Sequence, residues 1–169
     1  MENNILEKKN FSEKLKDFFN QNKIKVYSFL TLLILSTILI IYINFYNEKQ
    51  NSLISEKYIK AGLHLSKGNN EKSKKILEEI IYSKNKFYSV LALNTILEKN
   101  LELDKIKIIN YFETLEQINI SKERKDLIIF KKAMYLIKQN NIKAGTNLLN
   151  KLIIENSKFK TLADEIINN

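Results

Sequence analysis

Residues Val26 to Phe45 read VYSFLTLLILSTILIIYINF, twenty residues without a charge, a glycine or a proline. At about 1.5 Å of rise per residue a helix of this length covers roughly the 30 Å hydrocarbon core of a bilayer. Thirteen of the twenty are Val, Leu, Ile or Phe, which on an insertion scale sum to roughly −4 to −8 kcal/mol. That total outweighs Ser28, Thr31, Ser36, Thr37 and Asn44: the hydroxyls can bond back to the helix, and the amide sits near one end. Tyr27 at one edge and Tyr42 and Tyr46 at the other stand where amphipathic rings prefer the headgroup layer. The run exceeds the usual apolar core of a signal peptide, and no A-x-A-like site follows it in YINFYNEKQNS. The expectation is one transmembrane signal-anchor helix over residues 26–46. A tail, 1–25, lies on one side and a domain, 47–169, on the other.

The tail carries Lys8, Lys9, Lys14, Lys16, Lys23 and Lys25, whereas Lys49, Lys57 and Lys60 are the lysines of the first fifteen residues after the span. Lysine bias sets orientation, so the amino terminus is expected in the cytoplasm and the domain outside. Within the tail Phe11, Leu15, Phe18 and Asn22 fall at helical spacing, with Phe19 beside them. This pattern fits a short helix on an anionic leaflet or, equally, a solvated tail.

Of the net charge of +9, the first 25 residues supply +2 and the remainder +7. Such a surplus suits acidic partners or an anionic membrane surface, but the charges are interspersed, which describes a solvated surface, and no nucleic-acid partner is expected. With no cysteine, disulfides and thiolate chemistry are excluded. His64 is the only histidine, and no serine or carboxylate is tied to it by a motif. Glu78-Glu79 and Asp164-Glu165 are adjacent pairs, and neighbours on a helix point some 100° apart, so neither forms a carboxylate dyad. There is no phosphate-binding glycine loop and no metal-spaced set. The chain reads as a non-enzyme without cofactor or metal.

From Glu48 onward the periodicity is helical, punctuated by short Asn/Lys/Gly clusters. It predicts helices over about Glu48 to Ser66, Glu71 to Ser83, Phe87 to Lys99, Asp104 to Ile118, Ser121 to Gln139 and Ile142 to Glu155, then a short one from Ser157 to Ile167. Gly68 is expected as a left-handed cap, and Ser121 and Ser157 as N-caps. Leu77, Phe112 and Leu149 recur at intervals of 35 and 37, as do Ile80, Leu115 and Leu152. That is close to the 34-residue period of the tetratricopeptide repeat. Small residues stand where paired helices must approach: Ala61, Gly68 and Ser73 in the first unit, Ala92 in the second, and Ala133 and Gly145 in the third. The middle unit departs from the register, its second helix shifted by about four residues. The fold expected is all-α: the span, then a degenerate tetratricopeptide-like stack of three helix pairs with a C-terminal capping helix.

In such a stack the first helix of each pair lines the concave face, here with Tyr58 and Leu65, then Leu93 and Leu97, then Phe130, Met134 and Lys138. These side chains suit an apolar helix or an extended segment of a partner. The alternative is that they are core.

The third unit, KDLIIFKKAMYLIKQNNIKAGTNLLNKL from Lys125 to Leu152, and the ending FKTLADEIINN from Phe159, with its Leu162-Ala163-Asp164-Glu165 core, resemble the bacterial inner-membrane ancillary subunits of the SecYEG translocon. The resemblance implies association with the translocon and with periplasmic chaperones, assisting newly exported proteins at the outer face of the inner membrane. Two other classes stay open: a scaffold of cell-envelope or division machinery, and an anchored accessory protein with its repeats in the cytoplasm.

Overall fold

The computed structural model describes residue 13 and residues 16–168. The described residues contain helices and no strand. A short helical stretch, 16–21, precedes seven helices: α1 (Lys23–Ser66), α2 (Asn70–Tyr82), α3 (Tyr88–Glu98), α4 (Lys105–Glu116), α5 (Lys122–Lys138), α6 (Ile142–Ile154) and α7 (Lys160–Asn168). The chain divides into two compact units, Met1–Gln50 and Asn51–Asn169.

In the first unit the apolar run is helical and its large side chains are all exposed to their surroundings, Leu35 and Leu39 by 64% and 59%. No protein core covers them, as a lipid-facing helix requires. Its hydroxyls are satisfied inside the helix: Thr31 donates to the carbonyls of Tyr27 (2.7 Å) and Ser28 (3.0 Å), Ser36 to Leu33 (2.8 Å) and Thr37 to Ile34 (2.7 Å). These bonds lower the cost of placing hydroxyls in an apolar medium. Among the described residues this is the one helix long and apolar enough to cross a membrane. Two helices were expected here, the span and a separate one from Glu48; α1 runs through both. The polar stretch Asn47-Glu48-Lys49-Gln50-Asn51-Ser52 contains no proline or glycine, so nothing in it breaks the ladder.

In the second unit the helix ends follow a common rule. Gly68 (φ +72°), Asn100 (+48°), Asn140 (+62°) and Asn156 (+50°) each take the left-handed conformation just past a helix. Behind each, the next amide reaches back to the helix: Asn69 N–H to the His64 carbonyl, Leu101 to Ile96, Asn141 to Leu136 and Ser157 to Leu152, at 2.9–3.0 Å. This is the Schellman geometry, which glycine and asparagine tolerate best. Lys84 (φ +55°) ends α2 in the same way, but there the spare Ile80 carbonyl accepts instead from the hydroxyls of Ser83 and buried Ser89, both at 2.7 Å. At helix starts, Asp104 accepts from the amides of Ile106 (2.8 Å) and Lys107 (3.4 Å). Ser121 occupies the N-cap position of α5 without making the expected capping bond. The Glu123 carboxylate nearby is held below the usual range first by its own backbone N–H, then by the Ser121 hydroxyl, and further by Lys158. Ser157 accepts the Phe159 amide at 3.2 Å.

From α2 to α7 consecutive helices pack on one another, most extensively α5 on α6, then α2 on α3 and α6 on α7. Helices two apart are also tied. Tyr58 Oη and Thr95 Oγ1 lie 3.0 Å apart, Tyr88 donates to Ser55 (2.8 Å), Tyr111 donates to Glu78, and Lys131 donates to Asn94 (2.7 Å). Each pair is separated by 33 or 37 residues along the chain. Burial, and then the Glu78 carboxylate, push the Tyr111 hydroxyl well above its ordinary range, so it stays a donor at any physiological pH.

Ala61, Ser73, Ala92 and Ala133 are fully buried, and Gly145 is buried on α6. A Cβ at Gly145 would stand 2.5 Å from Ile137 Cγ1 and 2.8 Å from the Ala133 carbonyl oxygen, so α5 and α6 meet backbone to side chain. Gly145→Ala is therefore expected to lower stability by about 1–3 kcal/mol, despite alanine's better helix propensity. Thermal melts followed by circular dichroism check this; an unchanged or raised Tm would show that the two helices part freely.

Candidate functional site

The apolar interior falls into two clusters. One gathers Leu77, Ile80, Ile81, Ala92, Ile96, Phe112 and Leu115 from α2, α3 and α4, with Ala61 of α1 and Ile128 of α5. The other joins Ala133, Leu149, Leu152 and Ala163 from α5, α6 and α7. Helix α5 serves both, and beside it the packing is open.

The opening follows from the α3–α4 connection. The α1–α2 and α5–α6 turns take three residues, whereas residues 99–104 make a six-residue link. Its Leu101 is drawn into the core and is 8% exposed, but Leu103 faces outward at 82%. Glu102 holds the link in place: its carboxylate accepts the amides of Leu103 (2.9 Å) and Asp104 (3.0 Å) and lies 3.4 Å from Lys107 and 3.7 Å from Lys74. The Asp104 amide is the first cause of its lowered pKa, which the Lys74 charge reinforces against the opposing effect of burial.

Between this link, α3 and α5 lies a cavity of about 540 Å³, a volume in the range of ligand-binding clefts. Leu97, Leu103, Ile108, Met134 and Tyr135 give it an apolar lining, and Asn94, Lys131, Glu98 and Lys138 stand around them. Past Tyr135 and Gln139, which border both, a smaller recess of about 320 Å³ continues along Ile106, Ile109 and Leu136. The Tyr135 hydroxyl is pushed up by burial and secondarily by the Asp104 charge, and its ring packs 6.0 Å from that of Phe112. Lys132, only 12% exposed, fastens α5 to α4 through Glu116 (2.9 Å) and Glu113 (3.6 Å).

Of the seven residues expected on a concave face, Leu97, Met134 and Lys138 share this cleft. Leu93 does not line it: at 2% exposure it belongs to the core. Phe130 stacks on Phe159 of α7, ring centroids 5.3 Å apart, and packs against the second cluster. Tyr58 and Leu65 are half-buried against the first cluster, the Tyr58 ring lying 5.8 Å from Tyr88. The periodicity of α3 and α5 marks Leu97 and Met134. Leu103 enters through the long link, beside Ile108 of α4 and Tyr135 of α5, and the one sign of the link in the sequence is the apolar pair Leu101 and Leu103 within a polar turn.

No group of three or more His, Asp or Glu able to hold a metal occurs among the described residues. The walls of the cleft are polarizable and aromatic, with lysine and glutamate at the edge. Glu102→Gln should lower stability at neutral pH. Because the folded-state pKa is depressed, the wild-type advantage is full above the unfolded value near 4.3 and disappears as pH falls through the folded value. Melts of both proteins from neutral to acidic pH should converge; a constant gap would assign the loss to packing. No protein family, curated protein or solved structure matches the chain.

Proposed function

We propose that this protein is a single-pass inner-membrane protein, its amino terminus in the cytoplasm. Its helical domain lies in the periplasm as a degenerate tetratricopeptide-like stack that binds polypeptide segments. In this reading it is an accessory factor of the SecYEG translocon, acting with periplasmic chaperones on newly exported proteins. The observation that supports a binding role best is the apolar cleft beside α5. Leu97, Met134 and Tyr135 offer a leucine, a methionine and an aromatic face, a set that adapts to varied apolar side chains. The bonds between helices two apart, at separations close to the repeat period, support the stacked arrangement. The lysine bias supports the orientation.

Affinity isolation from detergent-solubilised native membranes tests the assignment. The wild-type chain should retain translocon subunits, and Leu97→Glu/Met134→Glu should lose exported clients while keeping its helical circular-dichroism signal. Recovery of division or cell-wall proteins without translocon subunits would replace the function with that of an envelope scaffold.

A further inference from the structure

We propose that residues 16–21 lie along an anionic lipid surface, with Phe18 and Phe19 at the acyl boundary and Lys16 on the headgroup phosphates, while Lys23 and Lys25 meet the same phosphates from the first turn of α1. The inference rests on the reading that α1 crosses a membrane. Residues 16–21 are helical and a bend at Asn22 separates them from α1. The Asn22 side-chain amide donates to the Phe18 carbonyl at 3.1 Å, and its backbone N–H donates to the same oxygen at 3.0 Å. Asn22 thus closes the short helix just before α1 begins.

Phe18 is 60% exposed and Phe19 39%, the latter meeting Tyr27 edge to face at 5.9 Å. Phe18 precedes the first residue of the apolar run, Val26, by eight positions. On a straight continuation it would stand roughly 12 Å beyond the hydrocarbon, whereas the headgroup layer on each side is only about 5–8 Å deep. Two phenylalanines would then be in water. Lying in the interface removes them from it, and it brings the three exposed lysines, opposed by Asp17 within the segment, to the phosphates. Aromatic rings on the buried side and lysines on the polar side are what such surfaces retain.

The chain has no cysteine, so single nitroxide labels can be placed cleanly. Full-length protein carrying Gln21→Cys or Leu35→Cys is reconstituted into phosphatidylcholine vesicles with or without phosphatidylglycerol. Collision rates are then read with oxygen and with a water-soluble nickel chelate. The Gln21 label should become severalfold less accessible to nickel in the anionic vesicles, and Lys16→Gln/Lys23→Gln/Lys25→Gln should remove that difference. Nickel access at Gln21 that stays high in both vesicles, with the Leu35 label buried, would overturn the inference and leave the span intact. Equal protection in neutral vesicles would overturn the anionic-lipid assignment. A Leu35 label open to nickel would overturn the span and the inference together.

Discussion

Replacing Leu35 and Leu39 together by lysine is expected to release the chain from the membrane. Both side chains are exposed within α1, and four residues apart they share one face. Leu35 stands midway along the apolar run. Near the centre of a span a lysine costs about 2.5–3.5 kcal/mol, and each lost leucine forfeits a few tenths more, so the pair costs roughly 6–8 kcal/mol. That is comparable to the roughly −4 to −8 kcal/mol that the apolar residues supply. Alkaline carbonate extraction should leave wild type and Leu35→Ile/Leu39→Ile in the membrane pellet and move the double-lysine variant to the supernatant. Retention of that variant would show that another part of the chain holds it to the membrane.

Phe112→Ala is expected to cost about 3–5 kcal/mol of domain stability. The ring is 1% exposed in the middle of the first cluster and meets Tyr135, so its loss opens a cavity beneath the cleft. Domains of this size hold about 5–15 kcal/mol in total, and the variant should unfold at a markedly lower urea concentration. Denaturation followed by circular dichroism on the detergent-solubilised chain measures this, with Phe112→Leu expected to recover much of the loss. A cost below about 1 kcal/mol would mean that neighbouring side chains collapse into the space.

Much of this architecture can be read before any coordinates. Twenty uncharged residues with tyrosines at both ends define the apolar helix. The clusters at Gly68, Asn100 and Asn140 mark helix ends because those residues bear positive φ at least cost. Two boundaries resist such reading. Helix α1 continues past residue 46 because a polar run without glycine or proline keeps its ladder, and polarity alone does not stop a helix. Ser121 stands at the N-cap position yet makes no capping bond, because residue type marks the position without fixing the hydroxyl's rotamer.

The cleft was only half legible. Helical spacing places Leu97 and Met134 on their helices, but whether a neighbouring helix covers them depends on the length of the 99–104 link, a tertiary property. Leu93 and Phe130 show the converse: apolar periodicity marks a face without saying whether water, core or a partner meets it. Phe130 is covered by Phe159, nearly thirty residues downstream.

Site-specific photocrosslinking in native membranes tests the central claim most directly, with probes at Tyr42 in the apolar helix and at Met134 in the cleft. Tyr42 should give adducts with translocon subunits, and Met134 with exported polypeptides or their chaperones. Adducts confined to cytoplasmic proteins, or to division and cell-wall proteins, would contradict the claim.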